Sequence, residues 1–299
     1  MEVLRPSDRI MISDLNGDGM HDILHLASVE TGGEWYADFH ANYSNGIGFI
    51  KKSHRTDLVS DGHIDREMYR EPIDINGDGK AECIVRHHIS YPLDVIQFRP
   101  GEEVNLVKQI NNGLNKEVKF NYATLAEGTN YTRDLSVINY PEIVHFNGPL
   151  YVVSSMITTN GVSGNTSTSY TYSGAKTHQW GRGFLGFSEL IKRDYFSGII
   201  TTTSYDFDSD YYITLPTASI VKTTAGDLIS TTTFTSTIDQ LSGGTLYPYN
   251  DYVEKIDHIL GAYSKVDFNY DNNGNAGIIS TLFRFHNAGS KTHLDHHSN

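Results

Sequence analysis

Cysteine, proline and long apolar runs are all scarce in this chain of 299 residues. Its one cysteine, Cys83, excludes an intrachain disulfide, and its place in the apolar run 81–85 indicates a buried thiol rather than a nucleophile. No run of about 18 apolar residues occurs, which excludes a membrane-spanning helix. The N-terminus lacks a basic segment followed by an apolar one, so either export uses another route or the sequence begins inside a longer protein.

Positive charge is also in short supply. The chain has 23 Lys and Arg against 36 Asp and Glu, for a formal net charge of −13. Proteins that bind nucleic acid need basic stripes to neutralise phosphate, so the composition excludes that class. An acidic surface either keeps the protein in solution or holds divalent cations, and both interpretations stay open at this point.

The common catalytic motifs are missing as well. The sequence has no G-x-S-x-G elbow, P-loop, H-E-x-x-H or C-x-x-C pattern. Among the 14 histidines, His87 and His88 are expected at a strand end. His293, His296 and His297 either bind a transition metal or belong to a C-terminal tail, 286–299, which is predicted to be disordered. We therefore expect a protein that is not an enzyme. A secreted carbohydrate-active enzyme remains an alternative, because two acids distant in sequence can meet in space.

What the chain does contain favours β-strands. It has 19 tyrosines and 13 phenylalanines, and threonine and serine are abundant, a mixture that fits a pleated, half-buried surface. Apolar and polar residues alternate in 116–122, and further strands are expected at 150–157, 168–172, 199–205, 219–223 and 229–235. One short helix is expected at 251–260. The sequence predicts an all-β fold divided near residue 103, with partial propeller blades in 1–102 and an extended antiparallel sheet in 103–285.

An internal repeat is the most informative pattern. The segment Asp14-Leu15-Asn16-Gly17-Asp18-Gly19-Met20-His21-Asp22 returns as Asp74-Ile75-Asn76-Gly77-Asp78-Gly79-Lys80-Ala81-Glu82. Both copies run directly into an apolar strand. The interval between the copies suits one blade of a β-propeller.

The repeat predicts two structural calcium (Ca2+) sites. Calcium prefers six to eight oxygen ligands on a flexible loop, and alternate side chains of a tight turn can point to one ion. An EF-hand is excluded, because its twelfth position requires glutamate where this chain has His25 and Val85, and a strand follows each loop. The alternative is a turn-forming role without an ion. The predicted ligands are Asp14, Asn16, Asp18, Asp22 and the Met20 carbonyl in the first loop, and Asp74, Asn76, Asp78, Glu82 and the Lys80 carbonyl in the second.

Three further clusters carry weaker expectations. Asp206, Asp208 and Asp210 form either a solvated strand end or a third cation site, and Asp57, Asp61 and Asp65 are expected in a loop. In the stretch Gly181-Arg182-Gly183-Phe184-Leu185-Gly186-Phe187, glycines permit close backbone approach while the rings cover the gap. We expect a corner of a curved sheet there, with Arg182 placed to pair with a carboxylate.

These motifs also resemble known families. The two aspartate loops, together with the segment 43–49, resemble FG-GAP/VCBS propeller blades. Four downstream segments, 112–115, 149–153, 170–175 and 180–187, resemble in the same order the middle region of the insecticidal toxin-complex B component, which is related to the Rhs/YD-repeat shells. The segment Tyr270-Asp271-Asn272-Asn273-Gly274-Asn275 resembles a YD repeat.

The resemblance implies a structural and secreted protein. In that family, the B component and a C-type partner form a hollow β-shell around a toxic segment, and the B component docks onto an A-type translocator. With about two loop-bearing blades and one YD repeat, this chain is expected to be a fragment of such a shell, without direct membrane insertion. The alternative is a calcium-dependent secreted adhesion or ligand-binding module.

Overall fold

The computed structural model describes residues 9–60, 71–86, 93–98, 106–114, 116–134, 138–146, 148–160, 164–240, 244–271, 274–285 and 296–298. These residues form 22 strands and no helix, which confirms the all-β prediction. Almost all neighbouring strands are antiparallel, and none of the four sheets closes on itself within these ranges. No helix in the described part is long and apolar enough to cross a membrane. The propeller arrangement stays a prediction.

The chain divides into two compact units. Unit 1 contains Met1–Val107 with Thr124–Glu127 and Gly148–Tyr151, and unit 2 contains the remainder. The division predicted near residue 103 falls in 99–105, outside the described residues. In unit 1, a four-stranded meander is formed by β1 (Arg9–Ser13), β2 (Asp22–Thr31), β3 (Glu34–Ser44) and β4 (Phe49–Ser60), and a two-stranded sheet by β5 (Cys83–Arg86) and β6 (Leu93–Ile96).

The core of unit 1 follows from the alternation of its strands. Met11 of β1 lies opposite Leu24 of β2, and Leu24 lies opposite Ala41 of β3, so one face of the sheet is continuously apolar. Cys83 is fully buried against this core, and burial raises the pKa of its thiol to about 12, as expected for a structural thiol. The core residues are Met11, Leu15, Leu24, Leu26, Phe39, Ala41, Tyr43, Ala81, Cys83, Val85 and Phe98.

A 13-stranded sheet makes up most of unit 2, beside a small sheet of three strands. The small sheet is formed by β10 (Ile143–His145), β13 (Lys176–His178) and β14 (Gly183–Gly186). The large sheet contains β7 (Gln109–Asn111), β8 (Glu117–Thr124), β9 (Tyr131–Thr132), β11 (Tyr151–Thr159), β12 (Asn165–Ser173), β15 (Glu189–Asp194), β16 (Ile199–Asp208), β17 (Ile213–Thr223), β18 (Leu228–Gln240), β19 (Leu246–Asp257), β20 (Ala262–Tyr270), β21 (Ala276–Phe285) and β22 (His296–Ser298). Its strands from β15 to β21 form one continuous meander.

The helix predicted at 251–260 is wrong. Most of that segment belongs to β19, where Tyr252 pairs with Thr235 of β18 and with Asp267 of β20. The apolar spacing of Tyr252, Val253 and Ile256 fits a helix face, but pairing with strands on both sides overrides this local pattern. The six predicted strand segments fall in β8, β11, β12, β16, β17 and β18. The predicted disordered tail lies outside the described residues, apart from His296–Ser298, which pairs with β21.

Candidate metal centre

The two aspartate loops of unit 1 have the same backbone conformation. Gly17 and Gly19 have φ values of 76° and 83°, and Gly77 and Gly79 have values of 78° and 84°. This left-handed region is open to glycine and costly for most other residues. The glycines of the D-x-N-G-D-G pattern are therefore required by the turn itself.

The first aspartate of each loop gathers the backbone N–H groups that follow it. Asp14 Oδ1 accepts hydrogen bonds from the N–H groups of Gly17 (2.7 Å) and Asp18 (3.2 Å), and its Oδ2 accepts one from Gly19 (2.8 Å). In the second loop Asp74 accepts the equivalent three bonds at 2.7, 3.1 and 3.0 Å. One carboxylate thus fixes the whole turn through both of its oxygens.

The middle positions form a second series of local bonds. The Asp18 N–H donates to Asn16 Oδ1 (3.0 Å), and the Met20 N–H donates to Asp18 Oδ1 (2.8 Å). The matching bonds of the second loop run from Asp78 to Asn76 (2.8 Å) and from Lys80 to Asp78 (2.9 Å). Side-chain oxygens of Asp and Asn commonly fold a turn in this way.

The ninth position of each loop anchors the loop to the sheet. Asp22, which is 0% exposed, accepts N–H bonds from Leu15 (2.9 Å) and from Ser44 of β3 (2.8 Å). Glu82, which is 2% exposed, accepts the equivalent bond from Ile75 (2.9 Å) and another from the Gln97 side chain (3.4 Å). Aspartate and glutamate therefore serve the same purpose here, despite differing by one methylene group.

Both anchors are held in an environment that disfavours their charge. Burial raises the pKa of the Asp22 carboxyl, and the neighbouring carboxylates of Asp18 and Asp14 raise it further against the opposing effect of the N–H bonds. Burial also raises the pKa of Glu82, with further contributions from Asp78 and Asp74. Each loop therefore concentrates negative charge that a cation would stabilise.

The two loops contact each other directly. The Ala81 N–H, at the end of the second loop, donates to the carbonyl oxygen of Asp14 at 2.8 Å. A Cβ built on Gly17 would lie 3.1 Å from Cγ of Lys80, whose side chain is buried. The second loop also packs against the segment Thr124–Glu127 of the same unit, since a Cβ built on Gly77 would lie 2.5 Å from Cβ of Ala126.

The structure thus brings all ten predicted ligand residues into two matched loops, and the side-chain oxygens of the eight Asp, Asn and Glu residues among them accept backbone N–H bonds. In the described part of the chain, no three side chains from His, Cys, Asp and Glu come together as a metal-binding group. The calcium assignment stays a prediction. The Oδ2 atoms of Asp14 and Asp74 each accept one of these N–H bonds and keep a second lone pair, which still fits a hard cation.

The other acidic clusters have simpler surroundings. Asp208 Oδ1 accepts the N–H groups of Asp210 (3.0 Å) and Tyr211 (2.9 Å), and so it caps the turn after β16. Asp206 lies in β16, and its Oδ1 accepts a hydrogen bond from the N–H of the next residue, Phe207. Asp57 lies in strand β4 and not in the loop that we expected, and its side chain is outside the described part. Asp61, Asp65, His87 and His88 lie outside the described residues.

Sequence reasoning missed a polar cluster in unit 2. The hydroxyl of Tyr212 donates to Glu142 Oε1, His178 Nε2 lies 3.5 Å from the same oxygen, and the His178 and Tyr212 rings are 4.3 Å apart. Tyr212 has a φ of 57°, in the left-handed region that favours glycine. In the similar turns after β15 and β19 the equivalent residues are glycines, Gly198 and Gly261. The sequence held one signal of this cluster. Four residues after Asp194 and after Asp257 the chain has glycine, whereas four residues after Asp208 it has Tyr212.

The glycine and phenylalanine stretch forms the β13–β14 hairpin and the residues after it. Gly181, Gly183 and Gly186 all have positive φ, and the rings of Phe184 and Phe187 pack edge to face at 5.3 Å. Arg182 donates to the backbone carbonyl of Tyr211 at 3.0 Å, where we expected a carboxylate. The stretch is therefore held by a hydrogen bond to a backbone carbonyl and by contacts between phenylalanine rings.

Comparison with known proteins identifies the family. The model of the insecticide toxin TcdB middle/N-terminal region matches residues 46–213, more than half of the chain. The solved structure described as the crystal structure of TcdB2-TccC3 has the same fold, with a TM-score of 0.66 and 14% identity over 95% of this chain. The match spans 17% of the length of that structure's chain. No curated protein matches. The chain therefore belongs to the family of the insecticide toxin TcdB middle/N-terminal region, which confirms its resemblance to the toxin-complex B component.

Proposed function

We propose that this chain is a structural, non-enzymatic segment of a secreted toxin-complex shell. The family match carries the proposal, because its residues 46–213 include part of the first unit and the large sheet from β7 through β16. A broad antiparallel sheet held by cross-strand pairs suits a wall better than a catalytic cleft. The fold shared with TcdB2-TccC3 supports the same role.

The partner that this role implies is a C-type component related to TccC3. TcdB2 is seen together with TccC3 in the similar structure, and the fold of this chain matches part of that assembly. The shell would enclose a toxic segment of the partner and dock onto an A-type translocator. Enclosing one partner and docking onto another requires stable binding surfaces and no catalytic activity of this chain.

Association with the partner tests this proposal. The purified chain is mixed with TccC3 and examined by size-exclusion chromatography with light scattering, and we expect a common peak whose mass is the sum of the two. Separate elution at every concentration would contradict a direct role in the shell. Binding to glycans that is lost with a chelator would instead support the adhesion module.

The two aspartate loops supply a second element of the proposal, which is structural calcium. The donor set consists of carboxylate, amide and carbonyl oxygens. Burial first, and then the neighbouring carboxylates, raise the pKa values of Asp22 and Glu82, and a divalent cation would offset both effects. When bound, the ion would supply positive charge at the base of each strand. The N–H bonds to Asp14 and Asp74 hold the turns by themselves, so calcium would add to stability without being needed for folding.

A further inference from the structure

A buried histidine lies where the small sheet of unit 2 contacts the turn between β16 and β17. His178 ends β13, pairs with Ile143 of β10 and Gly183 of β14, and is 9% exposed. Its ring centroid lies 4.3 Å from that of Tyr212 and 6.3 Å from that of Trp180. Neither the proposed shell role nor the calcium loops use this residue.

The contacts of His178 determine which ring nitrogen carries the proton. The Arg182 N–H donates to Nδ1 at 3.2 Å, so Nδ1 is an acceptor without a proton of its own. A neutral imidazole then carries its proton on Nε2, which lies 3.5 Å from Oε1 of Glu142. The structure therefore holds His178 as a neutral ring in one defined tautomer.

The Glu142 carboxylate is fixed by groups other than the histidine. The Asn139 side chain donates to its Oε2 at 2.8 Å, and the Tyr212 hydroxyl donates to its Oε1. The bond to Glu142 raises the pKa of Tyr212, so the phenol keeps its proton and remains a donor. The carboxylate consequently stays beside Nε2 in either protonation state of the imidazole.

Other titratable and charged groups surround His178 on the neighbouring elements. Lys176 precedes it by two residues in β13 and pairs with His145 of β10. The turn after β13 and the turn after β16 add Arg182, Asp208, Asp210 and Tyr212. The two ring nitrogens themselves face the Glu142 carboxylate and the Arg182 N–H, so these two groups decide what a change of charge does.

A proton gained by His178 removes the acceptor that the turn after β13 uses. Histidine is the side chain that ordinarily changes charge between about pH 5 and 8. An imidazolium ring has two N–H donors and no acceptor, so the Arg182 N–H would face a second donor. Turning the ring over does not restore the bond, because a C–H group then replaces Nδ1. Glu142 accepts a charge-assisted bond from Nε2, so the ring stays and the turn moves.

The turn from β13 to β14 has room to open. Its four residues, 179–182, are all exposed, and so is Gly183, which follows them. A Cβ built on Gly181 or Gly183 would meet nothing within 4 Å. The released N–H of Arg182 can therefore turn to water without a steric clash.

We propose that His178 is a pH-sensitive latch that holds the turn 179–182 closed when the ring is neutral and releases it when the ring is protonated. The opening is local, because it exchanges one hydrogen bond for water while Glu142 retains the ring. The latch lies beyond the proposed shell role and does not depend on it. It gives the exposed segment around Trp180 one arrangement near neutral pH and another in acid.

Amide hydrogen exchange of the full chain tests the latch. The protection factor of the Arg182 N–H, taken relative to the intrinsic exchange rate at each pH, should fall about five- to tenfold between pH 8 and pH 5. This is the change expected from the loss of one hydrogen bond. Protection in β16 to β18 should stay constant. Unchanged protection of Arg182 would overturn the proposal, and so would a parallel loss across the large sheet, because the response would then be global unfolding.

Three variants distinguish the latch from a purely structural role of the histidine. His178→Asn places an amide oxygen near the position of Nδ1, so Arg182 should stay protected at every pH. Glu142→Gln should move the midpoint of the response to lower pH, because no carboxylate then favours the imidazolium. His258→Asn changes an exposed histidine that bonds to Thr231, and this control should leave the response intact.

Trp180 fluorescence provides a second readout of the same event. An imidazolium quenches a nearby indole, and Trp35→Phe leaves Trp180 as the one tryptophan of the chain. Its emission should fall with the midpoint found by hydrogen exchange. A response that persists in His178→Asn, that disappears in His258→Asn, or whose midpoint is unmoved in Glu142→Gln would assign the effect to another group and overturn the proposal.

Discussion

The glycines of the aspartate loops differ in their surroundings although they share one backbone conformation. Gly19 and Gly77 both have positive φ, but a Cβ on Gly19 meets nothing within 4 Å, whereas one on Gly77 would lie 2.5 Å from Cβ of Ala126. Equivalent positions of the repeat differ in the same way, because a Cβ on Gly79 would lie 2.9 Å from Cβ of Pro149 while its counterpart Gly19 is open.

We predict that Gly77→Ala is the more damaging of the two substitutions. Gly19→Ala should lower the free energy of unfolding by about 1–2 kcal/mol, since it pays only for the left-handed backbone. Gly77→Ala should cost a further ~1–3 kcal/mol for overpacking against Ala126. Urea denaturation of both variants measures the difference. Equal losses would mean that the second loop is not packed as described.

At the scale of the element, the loops combine a backbone-fixing role with excess negative charge. The carboxyl groups of Asp22 and Glu82 have pKa values raised above 3.8 and 4.5. A raised pKa means that the folded state holds the proton more tightly than the unfolded chain. Its stabilising effect is complete below those values and is lost as the pH rises through the folded-state pKa.

We therefore predict a particular pH dependence in the presence of EDTA. The contribution of these two groups to the free energy of unfolding should decline as the pH rises above about 4–5. Asp22→Asn with Glu82→Gln should flatten this part of the profile, whatever it does to the absolute stability. Chemical denaturation at a series of pH values provides the measurement, and an unchanged slope in the double variant would contradict the charge argument.

Calcium should act on the same loops. Sites with affinities of roughly 10⁻⁴–10⁻³ M would each add about 1.4–2.7 kcal/mol at about 10 mM calcium. The thermal midpoint should therefore rise on exchange of EDTA for calcium. Asp14→Ala with Asp74→Ala should abolish the rise, and Asp210→Ala, at an exposed turn of unit 2, should preserve it. If the wild-type chain is folded and its thermal unfolding midpoint is the same in calcium and in EDTA, the two calcium sites are excluded.

The elements also show where sequence reasoning succeeds and where it stops. Alternation located β8 and β16, and the D-x-N-G-D-G repeat located both loops, because these signals are local. The strand at β19 was mistaken for a helix because its partners in β18 and β20 are distant in sequence. The calcium role of Asp14 stays a prediction, and the N–H partners of its carboxylate were not foreseen because they depend on the exact conformation of the turn. Tyr212 and Glu142 meet across 70 residues, which no local pattern encodes.

At the scale of the whole molecule, the largest feature is a broad sheet held together by cross-strand pairs. The large sheet spans 13 strands, and neither it nor the smaller sheets closes within the described ranges. The chain matches 17% of the length of the TcdB2-TccC3 chain while 95% of its own length is aligned. Under the proposed function, such a chain would contribute surface and continuity to a larger assembly.

Exchange of the matching segment tests this central claim most directly. The part of TcdB2 aligned with this chain is replaced by the chain itself, and complex formation of the chimera with TccC3 is measured by size-exclusion chromatography with light scattering. The account predicts that the chimera forms a complex of the same mass as the parent. Failure to assemble, from a chain that melts cooperatively by itself, would contradict a structural role in the shell.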